Sequence, residues 1–328
     1  MTMLSRVAES LYWMARYVER AEDVARIVDV NLSLHLDRPP DVAEQWRPVL
    51  AIGDLEETFD ALGLSPTADD VLHFMSFHPG NPNAILSSLG RARENARSVR
   101  EVISSEMWEQ LNATWLEVQD AAARGTWRTE PHRFLQRVKT GSQAFTGVCS
   151  ATMTHGEGWH FLRLGELLER ADQTTRILDV KYHILLPRGA EDVGTPYDNL
   201  QWAAVLKSVS GYEMFRKKHH AGIRPAEVAG FLLLDDEFPR AVRYCLHRAE
   251  SALRSISGKD ARPNAAVRLL GKLAGDFEFA AAEELLAAGL HEFCDSVQTR
   301  LSAVGDAIHR IYFSMDTGPV AAGPMPEA

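Results

Sequence analysis

Apolar side chains recur every three or four residues along the first part of the chain. They occupy Leu4, Val7, Leu11, Met14, Val18, Ala21, Ala25, Val28 and Leu32. Because an α-helix completes a turn in about 3.6 residues, this spacing places all of them on one helical face. A strand would need strict alternation of apolar and polar residues, which this segment lacks. The spacing therefore predicts one long amphipathic helix.

Clusters of proline and glycine divide the rest of the chain into segments with the same kind of spacing. Helices are predicted around residues 42–62, 106–124, 131–153, 159–186, 198–216, 237–257 and 263–315. Asn81-Pro82 indicates a further helix start, because asparagine caps helices and proline is favoured in their first turn. No strand pattern competes with these helices, so we predict an all-α fold.

The chain also contains an internal repeat. Residues 19–30 match residues 169–180 at seven of twelve positions without a gap. The correspondence continues in the same order towards the end of each copy, where His132 corresponds to His291. A repeat of this kind is a guide to architecture, because each copy forms one structural unit.

The repeat predicts a helical bundle of two tandem halves with pseudo-twofold symmetry, residues 1–150 and residues 151–316. Each half alone would leave an apolar face in water, so the halves should share one compact core. Residues 317–328 are rich in proline, glycine and alanine, and we expect them to form a flexible tail.

A charged stripe borders the apolar face of the first helix. At about 100° per residue, the side of the helix next to Val18 carries the stripe, whereas Arg20 points away from it. The stripe consists of Asp29, Glu22, Ala15, Arg26 and Glu19, and the second copy has Asp179, Asp172, Gly165, Arg176 and Glu169.

Two interpretations of the stripes remain open. Glu22 and Arg26 have the spacing of an ordinary helical ion pair, worth about 0.2–0.5 kcal/mol when exposed. Alternatively, the stripes face one another and form an acidic cleft with embedded arginines, which is costly unless packing or function requires it. The small residues Ala15 and Gly165 would let a helix or ligand approach closely.

Several longer motifs resemble the bacterial alpha-E family. They are residues 11–22, residues 92–97, residues 158–162 with 167–172, and residues 231–240. The resemblance covers nearly the whole chain in order. It implies a helical protein that acts with circularly permuted ATP-grasp ligases and transglutaminase-like peptidases in peptide synthesis or modification.

The resemblance also implies the site residues, position by position. They are Tyr12, Arg16, Glu19, Arg20, Glu22, Glu94, Asn95, Arg97, Trp159, Glu169, Arg170 and Asp172. Glu166 stands where the pattern leads us to expect arginine. Asn95 is a poor choice within a helix, so we expect its amide to hydrogen-bond a buried partner or a ligand.

From these residues we predict a charged cleft that holds a peptide or aminoacyl intermediate. Arg16, Arg26 and Arg176 would bind a carboxylate. Glu19 and Glu169 are the candidate catalytic residues, as a base or as the group that holds an amine. Asp29 and Asp179 complete the candidate binding residues as the outer members of the stripes.

A non-catalytic scaffold is the alternative function. The densest basic run, residues 216–220 with Arg224, could dock an acidic face of a partner ligase, with Lys217 and Lys218 as the main contacts. The simpler account is a solvated helix end, where cations are favourable near the last carbonyl groups.

Composition limits the remaining classes of function. The chain has 328 residues, and its 45 Asp and Glu outnumber 35 Lys and Arg, giving a net charge of −10. Because this is the wrong sign for neutralising phosphates, we expect no nucleic-acid partner. Three cysteines without a CxxC pair indicate a reducing compartment. With no signal peptide or membrane span evident, we expect a cytoplasmic protein.

We predict neither a cofactor nor a metal ion. Gly258-Lys259 and Gly271-Lys272 lack the upstream glycine of a phosphate-binding loop. Glu157 and His160 have the spacing of a di-iron ligand pair, but the second pair that such a centre needs is missing. Cys149, Cys245 and Cys294 lie in apolar helical contexts, where a buried structural role is expected.

Overall fold

A computed structural model describes residues 3–37, 45–184, 195–220, 222–258, 262–282, 284–285 and 289–314. The described residues contain helices and no strand, which confirms the all-α fold. Residues 317–328, which we expect to form a flexible tail, lie outside them. Every described helix is too short or too polar to traverse a bilayer.

The described helices are numbered in chain order. They are α1 (Ser5–Asp37), α2 (Arg47–Ala51), α3 (Glu56–Ala61), α4 (Ala68–Ser76), α5 (Ile85–Ser98), α6 (Ser105–Arg124), α7 (Thr126–Thr129), α8 (Pro131–Thr152), α9 (Glu157–Ile184), α10 (Pro196–Ser208), α11 (Tyr212–Lys218), α12 (Pro225–Leu234), α13 (Val242–Ser257), α14 (Ala265–Glu278) and α15 (Leu290–Ile308). A π-helical turn at His309–Phe313 continues α15.

The long helices α1 and α9 form the centre of the molecule and pack against each other. The predicted apolar face of α1 is buried from Val7 to Val28, with Leu11, Met14 and Val28 completely shielded from solvent, whereas Leu4 precedes the helix and is exposed. Around this pair, α1 packs on α5 and α8, while α9 packs on α13 and α15. These neighbours correspond to one another in the repeat. They therefore support the predicted tandem halves, which stay a prediction.

The two central helices come close together at Gly165. A Cβ atom built on Gly165 would lie 2.3 Å from the backbone oxygen of Tyr12, so no larger residue fits without moving a helix. The equivalent position in the first copy is Ala15, which is buried. The small residues expected within the stripes therefore serve the contact between α1 and α9.

Helix boundaries differ from the prediction in several places. The segment 198–216 is divided into α10 and α11 near Ser210, whose φ is 53°, and the helix expected over 237–257 begins at Val242. The segment 42–62 is broken into α2 and α3 by Asp54, whose φ of 53° is incompatible with a continuous right-handed helix. The segment 263–315 is divided into α14 and α15. The helix expected after Asn81-Pro82 begins at Ile85, because the Asn81 side chain accepts the Asn83 N–H in a turn and donates to the Phe74 carbonyl.

Candidate functional site

The dipeptide Glu-Arg occurs once in each central helix, and the two copies bind each other crosswise. Arg20 of α1 donates from Nε and Nη2 to Glu169 of α9, at 2.6 and 3.0 Å. Arg170 of α9 donates from Nε and Nη2 to Glu19 of α1, at 2.8 Å each. Each arginine thus binds the glutamate of the other copy through a two-pronged contact, the strongest geometry for this pair.

A second arginine completes the binding of each glutamate. Arg16 donates from Nε to Glu169 at 2.7 Å, and Arg240 donates from Nη1 to Glu19 at 2.6 Å. Glu19 and Glu169 are 2% and 0% exposed, so these pairs are removed from water. Arg20, predicted to point away from the stripe, instead reaches across to α9, because its long side chain bends around the helix beyond the direction of its Cβ.

The arginine pairs keep both glutamates ionised. Burial alone would raise the pKa of Glu169, but the charges of Arg20 and Arg16 and their hydrogen bonds lower it to about 2. Burial likewise opposes ionisation of Glu19, and the charges of Arg170 and Arg240 lower its pKa to about 2. Carboxylates with such low pKa values are weak bases and strong anchors for cations.

The cluster around Glu19 contains further buried charges on α1. Arg240 also donates to Asp23 at 2.7 Å and to Glu22 at 2.9 Å. Arg26 binds Glu22 within the helix and Ser210 outside it. Sequence reasoning missed Arg240 as a functional position, although it ends a motif, residues 231–240, that we used for the family resemblance.

The two copies differ by an exchange of charges. Glu166 stands at the position of Arg16, and it accepts a hydrogen bond from Arg170 at 2.7 Å. Arg240 stands at the position of Asn83, which accepts from Arg20 at 2.9 Å. The second arginine therefore comes from the central helix for Glu169 and from the loop before α13 for Glu19. Arg240 therefore supplies to Glu19 the second positive charge that Glu166, at the position of Arg16, cannot supply.

Other contacts between the copies are also reciprocal. Arg176 donates to Asp54 at 2.6 Å, and Arg26 donates to Ser210. Asp54 and Ser210 correspond in the repeat, and each has a φ of 53°. At the far end of the stripes, equivalent pairs form within each copy: Asp29 pairs with His132 at 2.6 Å, and Asp179 pairs with His291 at 2.7 Å. Asp29 also accepts from Lys139 at 2.5 Å.

The two stripes do not form one open cleft. The arginines fill the space between the glutamates, and the accessible volume lies on one flank of the contact. There a cavity of about 440 Å³ opens between α1, α9 and α15. Its lining includes Tyr12, Trp13, Arg16, Arg20, Asp172, Arg176, Leu301, Gly305, Asp306 and Phe313. The predicted site residues Tyr12, Arg16, Arg20, Asp172 and Arg176 thus meet at this cavity.

The equivalent cavity of the other copy is almost filled. About 20 Å³ remains between α1, α8 and α9, where Trp159, Arg163 and Glu166 occupy the space. Arg163 covers the Trp159 ring at 5.9 Å and binds Glu166. Of these two repeat-related cavities, the one between α1, α9 and α15 is therefore open and the other is nearly filled. Simple helix packing would have no reason to keep that space empty.

Unused hydrogen-bonding groups line the open cavity. Arg16 and Arg176 each use Nε and Nη1 on protein partners, while neither Nη2 has a hydrogen bond to any described residue. Asp172 accepts from Arg176 at 2.8 Å through one oxygen. Burial raises the pKa of Asp172 above its ordinary value, and Arg176 partly offsets this. The cavity can therefore bind an anionic group beside a hydrogen-bond donor.

The third predicted motif, Glu94, Asn95 and Arg97, lies outside the cavity. Glu94 and Arg97 form an exposed ion pair at 2.8 Å. The Asn95 amide has no hydrogen-bond partner among the described residues, so the buried partner that we expected is absent from that part of the chain. Asn95 instead lines an open groove of about 720 Å³, together with Glu94, Tyr17 and Trp13.

The other candidate functional residues are buried or already have partners in the structure. Burial raises the pKa of all three cysteine thiols, that of Cys245 to about 12, as expected for structural residues. His155 stacks on Trp159 at 4.2 Å. Among the described residues, Asp235, Asp236 and Glu237 form one acidic group with metal-ligand spacing, but Lys218 already binds Asp235 and Glu237 at 2.7 and 2.8 Å.

The molecule thus defines a class of all-helical proteins in which two Glu-Arg dipeptides pair crosswise between repeated helices. The Alpha-E family, described as a predicted alpha-helical domain with a conserved ER motif, matches residues 3–313. The chain belongs to this family. Glu-Arg occurs at residues 19–20 and 169–170, so the crossed pairs give the motif a structural explanation.

The chain is similar to three longer proteins that are themselves named as uncharacterised. Uncharacterised proteins from Mycobacterium bovis and from two strains of Mycobacterium tuberculosis are 24% identical over 271 residues. The match covers 77% of this chain and 30% of each relative. The chain therefore corresponds to less than a third of these proteins. No solved structure matches it significantly.

Proposed function

We propose that the protein is a component of an ATP-grasp-linked system for peptide synthesis or modification. Its part is to hold a peptide or aminoacyl intermediate in the open cavity beside the crossed Glu-Arg pairs. The observation that carries the proposal is the cavity itself, which combines unused arginine donors with a carboxylate and aromatic walls. Its volume lies within the range of about 300–1,000 Å³ typical of small-ligand sites.

The partner in this proposal is a circularly permuted ATP-grasp ligase, with a transglutaminase-like peptidase as a further member of the system. Support comes from the length of the relatives. In each of them the matching region is joined to further sequence, which makes up most of that relative. A helical unit that is one part of a larger chain is suited to work beside another domain. The proposed location is the cytoplasm, where ATP is available.

The crossed glutamates take a positioning role in this proposal. Glu169 binds Arg16 and Arg20, and thereby fixes the positions of two arginines that line the cavity. Its low pKa and complete set of arginine partners favour this role over that of a catalytic base. Glu19 does the same for Arg170 and Arg240 in the filled copy. Catalysis by either glutamate stays a hypothesis.

A reconstituted reaction tests the proposal. Purified ligase, ATP and peptide are combined with and without this protein, and product is measured by mass spectrometry. We expect product only when the protein is present, and at least a tenfold loss with Arg176→Gln. Arg124→Gln, at an exposed arginine outside both the cavity and the groove of Asn95, is the matched control and should have no effect. Full product without the protein would refute the proposal.

Docking without ligand binding is the second candidate function, and the exposed end of α11 favours it. Lys217 is exposed there, whereas Lys218 is already paired with Asp235 and Glu237. Lys217→Glu should weaken co-purification with the ligase, and salt should do the same. If this variant abolishes the complex while Arg176→Gln leaves product formation unchanged, the protein is a scaffold.

A further inference from the structure

We propose that the open cavity receives the carboxyl-terminal residue of a peptide, and that the groove beyond Trp13 holds the residues preceding it. This inference rests on the proposed function and specifies which end of the peptide enters. It assigns the cavity and the groove to one continuous site, because Trp13 lines both of them.

The arginines of the cavity determine which end of the peptide binds there. Arg16 and Arg176 line the cavity, and each has a free Nη2 with respect to the described residues. Guanidinium groups bind carboxylates through charge-assisted hydrogen bonds, which are about twice as strong as neutral ones. A free α-carboxylate uses such donors, whereas an amidated end lacks the charge.

The acidic residues of the same cavity limit the charge of the ligand. Asp172 and Asp306 both belong to the lining. These two carboxylates oppose a doubly charged phosphate more strongly than a singly charged peptide end, and they partly offset the attraction of Arg16, Arg20, Arg176 and His309 in the same lining. Asp172 can also accept the amide N–H of the terminal residue. Leu168, Leu301 and Phe313 provide the apolar wall for a small side chain.

The groove has the features of a surface for extended peptide. Trp13 stacks against Tyr17 with ring centroids 5.4 Å apart, and both rings line the groove beside Pro79 and Pro82. Flat aromatic surfaces bind extended backbone with little loss of side-chain freedom. The Asn95 amide, without a hydrogen-bond partner among the described residues, can pair with the N–H and C=O groups of a peptide backbone.

A selection with random tripeptides tests the orientation. The immobilised full-length protein is incubated with one pool that has free carboxyl ends and one that has amidated ends, and retained peptides are counted by mass spectrometry. We expect at least tenfold higher retention of the free acids. N-acetylation of the free-acid pool should leave retention unchanged. Excess inorganic phosphate should not displace the peptides.

Equal retention of acids and amides would overturn the proposed orientation, as would no retention of either pool. Displacement by phosphate would assign the arginines to a phosphate ligand instead. Loss of binding on N-acetylation would show that the amino end enters the cavity.

Gly305 offers a variant that closes the cavity without breaking an ion pair. It lines the cavity, and a Cβ built there meets no atom within 4 Å. Gly305→Leu should fill the space and lower retention at least tenfold while the thermal midpoint is maintained or raised. Gly275→Leu, at another helical glycine with open space around it, is the matched control. Unchanged binding by Gly305→Leu would place the ligand elsewhere.

The groove has its own test. Asn95→Ala should reduce retention of tripeptides more than retention of dipeptides, because Asn95 lines the groove and not the cavity, and the shorter ligand fits largely within the cavity. Equal reduction of both would refute the role of the groove. If amides are retained and Gly305→Leu abolishes that retention, the orientation is wrong but the proposed function survives. If ligase product does not respond to Gly305→Leu, the proposed function fails at this site.

Discussion

At the scale of single residues, the cluster around Glu19 holds more acids than bases. Glu19, Glu22, Asp23 and Glu166 are buried, and so are Arg26, Arg170 and Arg240. One oxygen of Asp23 has no hydrogen-bond partner among the described residues. Burial raises the pKa of Asp23 to about 8, with Glu19 and Glu22 contributing and Arg240 opposing. Asp23 therefore holds a proton to a higher pH than an ordinary aspartate does.

This proton makes the stability of the fold depend on pH. The ordinary pKa of aspartate is 3.8, so Asp23 binds up to one more proton in the folded protein than in the unfolded chain between about pH 4 and pH 8. The free energy of unfolding should therefore fall as pH rises through this range, with a slope on the order of 1 kcal/mol per pH unit. Asp23→Asn should abolish this contribution and raise stability at pH 8.

Urea unfolding at several pH values measures the effect. Asp120→Asn is the control, because Asp120 lies in an exposed ion pair with Arg124. An unchanged pH slope in Asp23→Asn would show that the proton resides on another group.

Sequence reasoning at this scale identified the charged residues but not all of their partners. The helical spacing placed Glu19 and Glu22 beside the apolar face, and both are buried. It could not place Arg20 correctly, because the position of a Cβ does not fix the end of a side chain with several rotatable bonds. Arg240 joins Glu19 across more than two hundred residues of sequence. Such a contact depends on tertiary packing.

At the scale of elements, the contact between α1 and α9 depends on the absence of a side chain at Gly165. Gly165→Ala would improve helix propensity by about 1 kcal/mol in isolation. Its Cβ, however, would collide with the backbone oxygen of Tyr12, which is 2.3 Å away. We expect a net destabilisation of about 1–3 kcal/mol, the usual cost of overpacking.

Gly147→Ala provides the matched comparison, because this glycine lies within α8 with no atom within 4 Å of its Cβ. It should be neutral or stabilising by up to about 1 kcal/mol. Thermal and urea unfolding of both variants measure the difference. If Gly165→Ala proves as stable as Gly147→Ala, the helices can separate without cost and the close approach is incidental.

The long helices could be predicted from sequence because their apolar spacing extends over many turns. Their interruptions were harder to predict. Asp54 and Ser210 take positive φ values without glycine, and each accepts a hydrogen bond from an arginine of the opposite copy. These helix breaks therefore coincide with tertiary contacts, which local helix propensity cannot predict.

At the scale of the whole molecule, the internal repeat led us to predict two related halves around one shared core, but it could not predict that the two cavities would differ. The difference arises from a few substitutions. Trp13 and Arg16 border the open cavity, whereas Arg163 and Glu166 occupy the corresponding positions in the filled one. Only the packed structure shows that Arg163 binds Glu166 and closes the space. In the proposed function, the open cavity binds the ligand, and the filled cavity contributes to packing.

The predicted halves should not fold separately. In a fragment of residues 1–150, Glu19 would lack Arg170 and Arg240, and α1 would expose the face that covers α9. In a fragment of residues 151–316, Glu169 would lack Arg16 and Arg20. Breaking a buried ion pair costs about 3–5 kcal/mol, a large part of the 5–15 kcal/mol by which domains are usually stable.

We therefore expect neither fragment alone to unfold cooperatively by circular dichroism. Mixing the fragments in equal amounts should restore a cooperative transition and a single species on gel filtration, because crossed pairs and apolar faces re-form together. Fragments carrying Glu19→Gln and Glu169→Gln should reassociate more weakly than wild-type fragments. Cooperative unfolding of residues 1–150 alone, at the midpoint of the intact chain, would show that each half is an independent domain and that the crossed pairs join two finished units.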